Sequence, residues 1–369
     1  MNEMMIQYPD YRNCTANIPC SVLAHFGITP DVPTFAPMDK LLCEKEYKNI
    51  VVMLLDGMGT NVMEKHLSPD GFFRQHFICN MSSTFPPTTV ASTTSVLSGL
   101  YPSQTAWLGW VGYFPDIERN IIYYLNKDND DKEAEFSENI AYKYLPYENI
   151  IDRLNSAGKQ AYIVSKFAEG GENIKCFDDI CRQVENYCAK DGRKYIYAYF
   201  DEPDATLHHE GIGSAAADKV VNELEAAVKA LAEKLEDTLL VIIADHGHIN
   251  IENKTLTDYP DICECLLRMP SIEARAVNMF VKPDKKELLP KLFKKHFGRE
   301  FLVLSKEEVL ERQLFGEGTP HPRFEEMLGD YLAVAVGNTA LNTYAKDYKS
   351  NHAGLTPEEM TIPFIAVKR

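Results

Sequence analysis

The sequence predicts an α/β fold: a central, mostly parallel sheet with helices on both faces and a small inserted α+β lobe. Three observations predict it. First, apolar, β-branched runs recur at NIVVMLLD (49–56), QAYIVSK (160–166), KYIYAYF (194–200) and TLLVIIAD (238–245), with YLAVAVG (331–337) and IPFIAVK (362–368) later. Runs that are apolar on both faces suit strands covered on both sides, as in a parallel sheet. Second, helical stretches separate them: YENIIDRLNSAGK, closed by Gly158, and SAAADKVVNELEAAVKALAEKLE over 214–236, rich in helix formers with apolar residues at helical spacing. Strand–helix alternation is the signature of the α/β class. Third, 369 residues are long for one simple domain and suit a large α/β domain with an insertion.

The insertion is expected at 270–322. There ARAVNMFVK, a Lys-rich helix, EFLVLSK and KEEVLERQLFG read as strand–helix–strand–helix, leaving 1–269 and 323–369 as the core domain. The acidic DNDDKEAEFSEN (128–139) reads as a surface excursion, and no internal repeat or low-complexity tract occurs.

Composition narrows the function. Apolar residues make up 45% and charged residues 25%, ordinary values for a globular chain. No run approaches the roughly 18 apolar residues needed to span a bilayer, so no membrane role is expected. The formal net charge of −16 argues against a nucleic acid polymer as partner, because no basic stripe is present to displace counterions. A small phosphorylated substrate remains compatible if bound cations neutralise it locally. The N-terminal MNEMMIQYPDYRNC lacks the basic and apolar regions of a secretory signal. The nine cysteines are odd in number, scattered and without a CxxC pair, so reduced thiols and a cytoplasmic location are expected.

Acidic residues and histidines collect where the predicted strands end, the edge at which open α/β sheets place their ligands. Asp56 follows the first strand. DEPDATLHHEG, after 194–200, offers Asp204 and His208 four residues apart. ADHGH, at the end of 238–245, offers Asp245 and His246, and NHAGLTPEEM offers His352 in a Gly-containing turn. Each alone has a plain reading as a turn or a helix cap; their coincidence carries the argument. Mixed carboxylates and imidazoles suit Zn²⁺ or a similar borderline cation, with Mn²⁺ or Fe as alternatives. Counting one hydroxyl, seven candidate ligands exceed one tetrahedral site. Two cations about 4 Å apart would stabilise the entering and leaving oxygens of a phosphoryl displacement.

As an ordered set, VVMLLDGMG, the Thr-rich run closing in SGLYP, EPDATLHH, ADHGH and NHAGLTPEE resemble the alkaline phosphatase superfamily, in its nucleotide pyrophosphatase/phosphodiesterase-like branch. The resemblance runs from about residue 48 to the C-terminus and is weakest over 250–325. It implies a Thr or Ser nucleophile at a helix start, ten residues before the Gly of the Gly-Leu-Tyr-Pro segment; counting back from Gly99 reaches Thr89. Thr84 lies five residues too far, whereas the adjacent Thr88 stays open. The resemblance further implies two metal sites, Asp56, Thr89, Asp245 and His246 at one, Asp204, His208 and His352 at the other. His209, His248 and Glu202 are expected to be supporting or surface groups. The implied reaction is a two-metal hydrolysis of a phosphodiester or pyrophosphate bond of a small substrate, through a phospho-threonine intermediate.

The match departs from the branch where substrate is held. Its phosphate-binding Asn falls on Trp110, and its Pro-x-x-His-Gly histidine on Thr105. Trp107, Trp110 and Tyr113 are candidates for an aromatic wall against a flat leaving group, with core packing as the plain alternative. Neither the sulfatase Cys/Ser-x-Pro-x-Arg segment nor the Asp-Ser-Ala with Arg of the alkaline phosphatases proper occurs. Phosphonoacetate hydrolase-like or phosphomonoesterase activity on the same site, and a catalytically idle metal-binding scaffold, are the competing expectations.

Overall fold

The computed structural model describes residues 5–168 and 171–369. Its central sheet has six strands in the order Phe77–Ser82, Thr361–Lys368, Thr238–Ile243, Asn49–Leu55, Lys194–Phe200 and Gln160–Val164. The last four are mutually parallel, and Thr361–Lys368 runs antiparallel to the neighbours on both its sides. All seven residues of Asn49–Leu55 are buried, as an apolar strand between two helical layers must be.

The helices follow their apolar spacing. In Ala215–Lys234, Ala217, Val221, Leu224, Val228 and Leu231 form the buried stripe. Ser214 caps its start by accepting Ala217 N–H at 3.1 Å, Asp218 lies in its first turn and Lys234 in its last. Each fully buried leucine or valine of the stripe contributes roughly 2 kcal/mol. No helix among the described residues is long and apolar enough to cross a membrane.

A second, seven-stranded antiparallel sheet lies beside the first, ordered Phe301–Ser305, Tyr331–Ala335, Ala276–Met279, Ser271–Ile272, Val111–Phe114, Arg119–Ile122 and Lys127–Asp128. Two expectations change here. YLAVAVG belongs to this sheet and not to the parallel one. Leu332 and Val334 face one apolar cluster, Ala333 and Ala335 another; a run apolar on both faces reports two covered faces and says nothing of strand direction. The expected lobe boundaries also fail to enclose a sheet, because the strands of 270–322 pair with Val111–Phe114 on one side and Tyr331–Ala335 on the other. The acidic 128–139 stretch is anchored at its first residue: Asp128 is buried, takes Arg119 Nη1 at 2.6 Å and accepts the N–H groups of Asp130 and Asp131.

The junction of the two sheets is a buried ion pair. Arg275 and Glu359 are both fully buried and meet through two bonds of 2.7 Å.

Candidate active site

Parallel register fixes the site. Leu54 pairs with Ile243 and Leu55 with Phe200, so two residues past the first pair Asp56 and Asp245 stand side by side on the carboxyl edge. Gly57 turns the chain there with φ +71, donating its N–H to Asp245 Oδ1 at 3.0 Å, and a Cβ would meet Asp204 and His248 at 3.0 Å. Gly247 is tighter, since a Cβ would fall 2.0 Å from Glu358 O. These backbone approaches draw the three strand-end loops and the His352 turn together. His352 itself precedes Ala353, whose φ of 89 is a left-handed conformation costly for a residue with a Cβ.

Asp56, Asp204, Asp245, His208, His246 and His352 converge. His246 Nε2 lies 3.3 Å from Asp56 Oδ1 and 3.5 Å from Asp245 Oδ2. Asp204 Oδ1 lies 3.3 Å from His208 Nε2 and 3.7 Å from His352 Nε2. Two groups of donors close enough to hold an ion emerge: Asp56, Asp245 and His246; and Asp204, His246, His248 and His352.

The imidazoles are oriented for metal. Nδ1 of His208 meets Ser350 O at 3.0 Å, that of His246 meets Gly247 O at 3.1 Å, and that of His352 meets Pro87 O at 3.1 Å. A carbonyl only accepts, so each Nδ1 carries a proton, and the neutral form of each ring offers its Nε2 lone pair on the side of the carboxylates. Asp245 adds an independent sign. Its Oδ1 accepts from Gly57 and His246 N–H, but its Oδ2 is buried with no hydrogen-bond partner among the described residues. An orphaned, buried carboxylate oxygen is costly unless a cation meets it. The residues present thus fit divalent ions.

Without ions, the charges compensate poorly. Burial and the neighbouring Asp204 push the Asp56 carboxyl up; burial and Asp56 push Asp245 well up. Burial disfavours charge on His246, yet Asp245 and Asp56 outweigh it and push the imidazole up to about 10. For Asp204, burial is overcome by His208 and His248, which hold it well below the usual carboxylate range. Burial, then the charge of His246, drives His352 well down.

The three threonines occupy different surroundings. Thr84 is buried and bonded to Ser92 Oγ at 2.8 Å, and Thr88 donates to Glu273 Oε1 at 2.6 Å. Thr89 opens the helix Thr89–Ser98; its Oγ1 lies 3.4 Å from Asp56 Oδ1 and 3.3 Å from His246 Nε2. The N–H groups of Thr89, Val90 and Ala91 find no acceptor among the described residues, leaving an anion-attracting helix start beside that hydroxyl.

A cleft of about 460 Å³ leads to Thr89, Asp204 and His352, walled by Trp110, Glu273 and Tyr344. Of the three aromatic candidates, Trp110 alone lines it. Trp107 is 1% exposed, donates Nε1–H to Leu145 O and packs on Tyr123, Tyr142 and Tyr147. Tyr113 is buried against Phe280 and Arg268. Both are packing residues, Trp107 in the segment ahead of the Val111–Phe114 strand and Tyr113 on that strand. His209 is exposed at the cleft, and Glu202 accepts Thr206 N–H, steadying the Asp204–Glu210 helix.

Two further residues escape sequence reasoning, and a third, His248, was expected only as a supporting or surface group. Tyr199 donates its hydroxyl to Asp56 Oδ2; its sign was its place at the end of a catalytic-edge strand. Glu273 accepts Trp110 N–H at 2.8 Å as well as Thr88 Oγ1, a pairing across sheet neighbours with no local signature. His248 is fully buried with Nε2 2.7 Å from Asp204 Oδ1, so it is not a surface group; its position two residues after His246 was the available signal.

The sequence profile of type I phosphodiesterase / nucleotide pyrophosphatase matches residues 50–289. No curated protein matches the sequence. Among solved structures, an inactive form of murine ectonucleotide pyrophosphatase/phosphodiesterase 5 in complex with AMP is similar, with TM-score 0.66 and 16% identity over 86% of this chain and 87% of that one. The human counterpart gives 0.66 and 16% over 86% and 87%. Phosphonoacetate hydrolase from Sinorhizobium meliloti 1021, in complex with phosphonoformate, gives 0.63 and 15% over 86% and 89%. At these identities the likeness is one of fold.

Proposed function

The chain belongs to the type I phosphodiesterase/nucleotide pyrophosphatase family, within the alkaline phosphatase superfamily, and from that premise we propose that it hydrolyses a phosphodiester or pyrophosphate bond of a small substrate with two divalent ions. The observation that carries this reading is the convergence of a helix-start hydroxyl, three carboxylates and several Nε2 lone pairs on one point of the sheet edge. Asp56, Thr89, Asp245 and His246 would hold one ion; Asp204, His208 and His352 would hold the other. When bound, such ions supply positive charge to the phosphoryl oxygens and lower the pKa of a bound hydroxyl. The mixed nitrogen and oxygen donors favour Zn²⁺, with Mn²⁺ or Fe as alternatives.

Thr89 Oγ1 forms the bond to phosphorus as the bond to the leaving oxygen breaks, and water then releases the phosphoryl group from Thr89. Asp56 Oδ1 is the carboxylate oxygen nearest that hydroxyl, and Tyr199 fixes the carboxylate from its other side. The free N–H groups of Val90 and Ala91 are placed to receive a phosphoryl oxygen. That role has extra weight because Trp110 stands where the branch carries its phosphate-binding Asn. The cleft volume accommodates a leaving group up to nucleotide size. All nine cysteines are unpaired, which supports a reducing, cytoplasmic setting.

A second reading, phosphonate hydrolysis as in the phosphonoacetate hydrolase of similar fold, uses the same residues. The test compares metal-loaded protein on a nitrophenyl phosphodiester, the matching monoester and a phosphonate ester. The diester should turn over fastest. A faster monoester overturns the diesterase assignment, a faster phosphonate selects the second reading, and no turnover on any selects an idle metal-binding scaffold.

A further inference from the structure

The fourth imidazole of the site has a hydrogen-bond geometry unlike that of an ordinary buried histidine. His248 Nε2 stands 2.7 Å from Asp204 Oδ1, nearer than His208, His352 or His246, which lie at 3.3, 3.7 and 4.0 Å. Its Nδ1 lies 3.0 Å from Ser350 Oγ. Ser350 has one hydroxyl proton and donates it to Leu207 O at 2.6 Å, so the serine oxygen must accept from Nδ1–H. The neutral ring therefore presents a bare lone pair at Nε2, aimed at a carboxylate oxygen. Two lone pairs that close repel unless a positive charge joins them, and either a proton or a metal ion supplies it.

The surroundings favour the metal ion. One ligand atom from each of Asp204, His246, His248 and His352 lies within 4.8 Å of the others, close to the span of one ion with ligands at roughly 2.0–2.2 Å; His208 joins through Asp204, its Nε2 3.3 Å from Oδ1, while His246 is shared with the Asp56 and Asp245 group. His248 is also held as the other three histidines are, by an oxygen acceptor at Nδ1. Resting on the two-metal reading, we propose that His248 is an additional ligand of the Asp204-centred ion, which then takes Asp204, His208, His248 and His352. Four protein ligands fill a tetrahedron. A substrate oxygen then needs a fifth or sixth position, so this centre favours ions that readily exceed four-coordination, Mn²⁺ or Fe²⁺, over four-coordinate Zn²⁺. The competing arrangement is a doubly protonated His248 donating Nε2–H to Asp204.

The test uses the full chain loaded with Co²⁺. Each coordinated imidazole gives one paramagnetically shifted, exchangeable Nδ1–H proton resonance. Four such resonances are expected from the wild type, and His248→Gln should remove one while keeping three. The variant should also weaken one of the two Co²⁺ ions by about 100-fold or more, at or beyond the upper end of losing a merely supporting group, and intensify the visible absorption bands as coordination falls. Three resonances in the wild type, or unchanged affinity and absorption in the variant, overturn the proposal while leaving the two-metal reading intact. A wild type that binds no Co²⁺ overturns both. Should His248→Gln fail to unfold cooperatively, the resonance count in the wild type decides alone.

Discussion

Glu359→Gln removes a charge from the junction of the two sheets while keeping the side chain's shape. Glu359 binds Nε and Nη2 of Arg275 at 2.7 Å on its two oxygens, and accepts from Gly354 N–H and Thr356 Oγ1, both at 2.7 Å. Arg275 also donates from Nη1 to Thr339 O and from Nη2 to Gly337 O, both at 2.8 Å. Both side chains are 0% exposed, so the variant leaves a guanidinium in the interior without its counter-charge. Breaking a buried pair from one side costs about 3–5 kcal/mol. An unfolding entropy of roughly 2.1 cal/mol/K per residue makes about 0.8 kcal/mol/K for this chain, so Tm should fall by about 4–6 °C. Differential scanning calorimetry on metal-saturated protein measures this. Gly354 lies two residues past His352, so affinity for the Asp204-centred ion should weaken in the same variant. The double variant Arg275→Met, Glu359→Leu leaves no orphaned charge and should recover part of the loss. A Tm within about 1 °C of wild type for Glu359→Gln would refute the reasoning that this pair fastens the junction.

Other perturbations probe the site from different sides. Gly247→Ala places a Cβ against Glu358 O and should destabilise the protein by about 1–3 kcal/mol in urea denaturation; an unchanged midpoint would show that the loops have room to part. In the metal-free protein His246 has its pKa pushed up to about 10, so at pH 7 it holds a proton that an incoming ion must displace. Metal titration in weak buffer should release at least one proton per protein, with apparent affinity rising as pH rises; release of none contradicts this. Glu273→Ala frees Thr88 and the Trp110 loop at the cleft wall, and should raise KM about tenfold, equivalent to roughly 1.4 kcal/mol, with a smaller change in kcat. Equal losses in kcat and kcat/KM would place Glu273 in the chemistry instead.

The parallel core and its carboxylates were legible because each signal is local. A fully buried strand reads as a continuous apolar run, and the Asp that ends it lies beside it in sequence. The antiparallel sheet was not, because strands such as Ser271–Ile272 and Lys127–Asp128 are two residues long, too short for a period to register. YLAVAVG looked like a parallel strand since burial on both faces leaves the same pattern in either direction. TAWLGWVGYF advertised aromatic surface, but Trp107 is buried ahead of the hairpin, and Tyr113 and Phe114 are buried on opposite faces of a strand covered on both sides. The second histidine of ADHGH was visible, while the reason it matters was not: Asp204 reaches it from a helix start 44 residues before and Ser350 from a two-residue strand 102 after. Pairings of that kind are made by the sheet edge, and no stretch of sequence carries them.

The central claim is that Thr89 Oγ1 takes the phosphoryl group. The most direct measurement quenches the metal-loaded protein in acid during turnover of a phosphodiester and locates the modified residue by peptide mass spectrometry. The account predicts a phosphorylated or phosphoester-modified Thr89, absent from Thr89→Ala, which should keep its fold and most of its metal while losing turnover. Modification at Thr88 or Thr84, or continued turnover in Thr89→Ala, would contradict it.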